Sequence, residues 1–211
     1  MLYWMTAARR VERNFGLQRS VEWATKLKRP LVILEALRCG YPWASDRLHR
    51  FIMDGMLDNR AHCHGKPVLY YPYLERTHGE GRGLLKALAG HACVTVTDDF
   101  PTFFLPRMLE AAGERLPIRL EAVDSNGILP LAATDRVFLT AFSFRRFLQG
   151  HLREHLRAVP QKDPLARVSL PPLRVGRRGV AAEAGGGDPQ GGDEAYHPTH
   201  FAVLVDIDHF A

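Results

Sequence analysis

The chain has 211 residues, 46% of them hydrophobic and 24% charged, a mixture that suits one soluble globular domain with a tail. Its longest apolar runs, such as Leu31–Leu34 and Ile128–Leu131, fall far short of the roughly 18 residues a membrane span needs. Met1–Met5 is apolar and precedes Arg9 and Arg10, the reverse of the charge order in a secretory signal.

The formal charge of +5 permits contact with a polyanion and does not require it. Much of the excess sits late, from Arg145 and Arg146 through Arg157 to Arg177 and Arg178. This reads first as a solvated helix face and linker, and second as a surface that helps hold DNA phosphate. Cys39, Cys63 and Cys93 are scattered, odd in number and without CxxC spacing. They argue against a disulfide framework or a structural zinc site and point to a reducing, cytoplasmic setting.

In chain order, Leu2–Met5 reads as a first strand, and Arg9–Leu27 carries Val11, Phe15, Leu17, Val21, Ala24 and Leu27 at helical spacing. Arg29-Pro30 stops that helix, because the residue before proline is pushed out of the helical region. Leu31–Leu37 is a nearly continuous apolar run, suited to a strand covered on both faces. Ser45 or Asp46 is placed to cap the next helix, through Leu48, Phe51, Ile52 and Met56. Pro67–Tyr73 is the third strand, Gly81–Ala89 a short helix, and Cys93–Thr97 a β-branched fourth strand. Pro101 suits the first turn of a helix running to Arg115; Ile118–Val123 is the fifth strand, and Thr140–Leu156 a last amphipathic helix.

Strands separated by helices of this length imply right-handed crossovers and hence an α/β fold: a doubly wound, five-stranded, Rossmann-like parallel sheet. The pattern places this domain over residues 1–157. From Ala158 the texture changes to Pro160, Pro164, Pro171, Pro172, Gly185–Gly187 and Gly191-Gly192. Residues 158–211 therefore read as a flexible linker ending in a short apolar segment, Phe201–Ile207.

In an open parallel sheet, ligands bind outside the carboxyl ends of the strands, where the strand order reverses. That rule singles out Met5, Thr6, Glu35, Asp98-Asp99 and Asp124-Ser125-Asn126, with Arg10 and Asn14 one turn apart beside them. Asp98, Asp99 and Ser125 have a second reading as cap or turn residues. Gly79-Glu80-Gly81-Arg82-Gly83 fails both the dinucleotide and P-loop patterns and reads as a flexible entry to a helix. His62-Cys63-His64 has no second ligand pair at zinc spacing, and His151/His155 lacks the glutamate of a metalloprotease motif. The sequence thus offers no metal site and no self-contained catalytic constellation.

Tyr3-Trp4-Met5-Thr6, followed by Arg10-Val11-Glu12 and Asn14, resembles the opening of deoxyribodipyrimidine photolyases of the class II type. Arg29-Pro30-Leu31, Thr97-Asp98-Asp99-Phe100-Pro101, Glu121–Asn126 with Pro130, and Thr140–Phe147 extend the likeness over residues 2–150. The family tends to carry an Arg-Asp pair where this chain has Ala7-Ala8. The resemblance implies the N-terminal α/β half of an enzyme that splits cyclobutane pyrimidine dimers in UV-damaged DNA with light. It further implies an antenna chromophore of deazaflavin, folate or flavin type at the strand ends. Flavin adenine dinucleotide (FAD) is expected only in a helical C-terminal domain beyond this chain, or on a separate helical flavin subunit. On that reading the chain is silent by itself and holds an antenna weakly or not at all. Trp4, Trp23 and Trp43 lie in the α/β part and are not the family's electron-transfer tryptophans. Two other readings stand beside it: a free-standing nucleotide- or flavin-binding module, and a partner-docking accessory using Phe201–Phe210.

Overall fold

The computed structural model describes residues 1–173. The strands are β1 (Leu2–Met5), β2 (Val32–Leu37), β3 (Leu69–Leu74), β4 (Val94–Asp99) and β5 (Arg119–Asp124), and they alternate with helices. They form one sheet in the order β3-β2-β1-β4-β5, with every pair parallel. The doubly wound α/β fold expected from the alternation is the fold observed.

Side chains along β1 alternate between two cores, as the pleat requires. Tyr3 and Met5 join Leu17, Ala24, Ile33, Val96 and Cys63 beneath helices α1 (Phe15–Leu27) and α2 (Asp46–Cys63). Leu2 and Trp4 join Leu34, Tyr71, Ala89 and Ala112 beneath α3 (Leu84–Gly90) and α4 (Leu105–Arg115). Pro72, which cannot donate to a ladder, is tolerated because β3 is an edge strand.

Two helix starts differ from the sequence pattern for identifiable reasons. Helix α1 starts at Phe15, because Asn14 caps it by accepting from Leu17 N and Arg13 sits at φ 46; Arg9–Arg13 is a turn. Helix α4 starts at Leu105 with Pro106 in its first turn, so Pro101 lies in the preceding loop. Helix α5 (Ala141–His155), capped by Thr140, buries none of its residues among those described.

Part of the stretch expected to be a linker is built into the core. Leu165 and Leu170 are 1% and 7% exposed on the α1/α2 side. Asp163 holds this segment in place: its carboxylate accepts from Lys66 Nζ (3.1 Å) and Leu165 N (2.8 Å), while Arg13 N donates to Lys162 O. Two buried leucines and one anchored carboxylate suffice to order a short irregular segment. The glycine-rich stretch and the apolar segment Phe201–Ile207 lie outside the described residues.

Candidate functional site

At the carboxyl end of β4, Asp98 turns back under the β1–α1 turn. One of its oxygens accepts the backbone N–H groups of Thr6 (2.9 Å), Ala7 (2.8 Å) and Ala8 (3.0 Å), and the other accepts the Tyr3 hydroxyl (2.7 Å). Burial, and next the Asp98 charge, push the Tyr3 phenol well above its ordinary pKa, so it stays a donor. Asn14 donates to Tyr3 Oη, Ala8 O and Arg10 O. Gly16 allows this close approach: a Cβ would stand 3.0 Å from both Asp98 Oδ1 and the Tyr3 ring. Where a dinucleotide fold presents amides to a pyrophosphate, this chain fills the turn with its own carboxylate. Ala7 and Ala8 accordingly make their polar contacts through the backbone.

Glu35, inside β2 two residues before its end, is 1% exposed and accepts from Arg9 Nη1 (3.2 Å), Asn59 Nδ2 (2.9 Å) and Tyr70 Oη (2.6 Å). Arg9 also donates to Ala36 O (2.7 Å). Its guanidinium is therefore fixed by two neighbours on β2.

The ligand-sized space opens on the other face of the sheet. A cavity of about 480 Å³ lies at the carboxyl ends of β1, β2 and β3, within the range of small-molecule sites. Trp4, Leu34, Leu84, Leu85 and Met108 form its apolar wall, Tyr41, Tyr73, Phe103 and Phe104 its aromatic rim, and Arg9, Arg38 and Arg82 its cationic groups. Arg38 and Arg82 make no ion pair among the described residues. The Tyr41 hydroxyl is buried without a hydrogen-bond partner among the described residues, although buried polar atoms are normally satisfied.

Two strained aromatics stand at the mouth. Trp43 (φ 65) and Phe103 (φ 67) stack at 5.3 Å between ring centroids, in a backbone region that bulky residues rarely enter. The loop read as a flexible helix entry forms another edge, through Gly79, Gly81 and Arg82. A Cβ at Gly81 would stand 2.9 Å from the Tyr73 ring. Arg76 binds Glu80 through side chain and backbone and holds its carboxyl down at about 2, so the loop is tied rather than free.

Of the residues nominated from sequence, Met5 and Thr6 line the cavity. Glu35 and Asp98 lie behind its wall, engaged internally. Asn14 is buried as the α1 cap, Arg10 is exposed and donates to Arg13 O, and both stand away from the cavity. Asp124 and Asn126 close the loop after β5, where Asp124 accepts from Asn126 N (2.8 Å) and Asn126 donates to Asp99 O. Arg9, Tyr41, Tyr73, Arg82, Phe103 and Phe104 were not singled out. Tyr73 stands near the carboxyl end of β3 and the others in turns and loops beyond strand ends, and that position is the signal that could have found them.

Fold and cavity together define a doubly wound α/β domain with an open crevice at its strand tips. No family model matches the chain. It is similar to the deoxyribodipyrimidine photo-lyase of Methanothermobacter thermautotrophicus, with 28% identity over 157 residues. The match takes in 74% of this chain and 34% of that protein, so the likeness spans about a third of the relative's length. No helix among the described residues is long and apolar enough to cross a membrane.

Proposed function

We propose that this chain is the N-terminal α/β part of a light-dependent pyrimidine-dimer photolyase, and that its strand-end cavity takes a planar, anionic antenna chromophore. The cavity itself carries the reading. Aromatic walls suit a flat ring, Arg38 and Arg82, which make no ion pair among the described residues, suit its acidic substituents, and the Tyr41 hydroxyl suits a polar ring atom. The sequence similarity to a photolyase supports the same reading. The filled β1–α1 turn speaks against a free-standing dinucleotide-binding module, since Asp98 occupies the amides such a ligand needs.

The catalytic flavin and the damaged DNA belong, on this proposal, with a helical flavin-binding domain. Helix α5 supports a docking role toward it, because it leaves Phe142 and Phe144 exposed, with Leu139 and Leu156 flanking them.

Titration with a deazaflavin, a reduced folate and flavin mononucleotide, followed by fluorescence, tests the antenna reading. One of the three should bind weakly but saturably; failure of all three to saturate overturns it. Under blue light the chain alone should leave dimers in UV-damaged DNA intact, and repair above a no-protein control contradicts the assignment of catalysis to another domain.

A further inference from the structure

We propose that Cys39, Glu75 and His78 form a zinc(II) site at the rim of the cavity. Cys39 stands two residues past the end of β2, and Glu75 one residue past the end of β3. The two strand ends are register partners through Leu37 and Leu74. His78 follows in the same loop as Glu75. One ligand atom from each of the three lies within 4.8 Å of the others, so a small closure brings them round one ion.

The carboxylate between them is already oriented. Glu75 is 9% exposed; its Oε2 accepts Cys39 N (3.0 Å) and lies 3.4 Å from Cys39 Sγ, while its Oε1 accepts Gly79 N (2.9 Å). Backbone amides thus hold it from the two loops that carry the other ligands, as metal-ligating carboxylates are commonly held. Oε1 keeps a second lone pair for an ion, and Oε2, which also accepts the Cys39 Sγ–H, gains one when that proton leaves. Gly40 lets the imidazole come close: a Cβ there would stand 3.0 Å from His78 Nδ1.

The donor chemistry selects the ion. A thiolate and a carboxylate neutralise a divalent charge, and the S, O, N set suits zinc rather than magnesium or calcium. On binding, a Zn–S bond replaces the S–H bond, the thiol proton leaves to water, and nothing is oxidised or reduced. Three protein ligands leave a fourth position for water or a ligand atom. Glu75 and His78 also line the cavity, so that position adjoins it. The site stands independently of the chromophore reading.

The test uses the whole chain, stripped of metal and kept reduced, titrated with cobalt(II) as a spectroscopic substitute. We expect one equivalent to bind with a thiolate-to-cobalt charge-transfer band, and zinc(II) to displace it. C39S should abolish the band. H78A should keep it but weaken binding by at least about tenfold, while C63S and C93S should change neither. Cys39 and His78 are at least partly exposed, so both variants should fold, as circular dichroism can verify. A wild-type chain without a saturable band, or a band that survives C39S, overturns the site.

Discussion

The two sides of the sheet treat their carboxyl edge differently. On the α1/α2 side, Asp98 plugs the β1–α1 turn and Glu35 ties β2 to α2 through Asn59. On the α3/α4 side the edge stays open as a cavity walled by aromatic and apolar groups, with arginines at its rim. Buried charges do the closing, whereas side chains of the kind that normally fill a core surround the space. The carboxylates of Asp98 and Glu35 are therefore poor guides to the ligand here, because their lone pairs are spent on the chain's own donors.

The largest effect expected from breaking this contrast is at Asp98. Asp98→Ala leaves three amides and the Tyr3 hydroxyl without their acceptor in a mostly buried turn, and should cost about 3–5 kcal/mol in urea unfolding. A loss below about 1 kcal/mol would mean that water replaces the carboxylate and that the turn is not closed. Gly16→Ala presses a methyl against Asp98 and Tyr3 at 3.0 Å and should cost about 2 kcal/mol. Equal stability to the parent would show that the turn has room to spare.

On the open side the sign reverses. Tyr41→Phe removes an unsatisfied buried hydroxyl, so it should raise stability by about 1 kcal/mol while weakening chromophore binding about fivefold. Lower stability would indicate that the hydroxyl has a partner in solution, and the cavity would lose its polar recognition group.

The smallest effect concerns the segment packed over α1 and α2. Burial works against ionisation, but the hydrogen bonds from Leu165 N and Lys66 Nζ outweigh it and hold the Asp163 carboxyl below its ordinary pKa. A depressed carboxylate contributes stability that is complete above its unfolded pKa and is lost as pH falls through the lower folded value. Thermal unfolding of Asp163→Asn should therefore show a shallower decline below about pH 4, by about 1 kcal/mol or less. An unchanged acid limb would remove Asp163 as the anchor.

The strands were readable because a short continuous apolar run between breakers is a local signal. Leu2–Met5 matches β1, and the run 31–37 matches β2 to within a residue. The turn at Arg9–Arg13 was not readable, since apolar Val11 continues the helical spacing of α1 and only the Asn14 cap ends it. Asp98 and Glu35 were found as strand-end carboxylates, but their use was not. Phe103 and Tyr41 carried no pattern at all, being single aromatics in loops.

Local chemistry by itself determined the order of strands and helices, and with it the parallel sheet, because hydrophobic period and helix caps act over a few residues. The tertiary structure decided which polar groups are consumed and where the crevice opens. Asp98 meets Thr6 across 92 positions of sequence, and Glu35 meets Tyr70 across 35. Whether a carboxylate is free for a ligand depends on donors brought to it by chain folding, and no short-range pattern encodes that meeting.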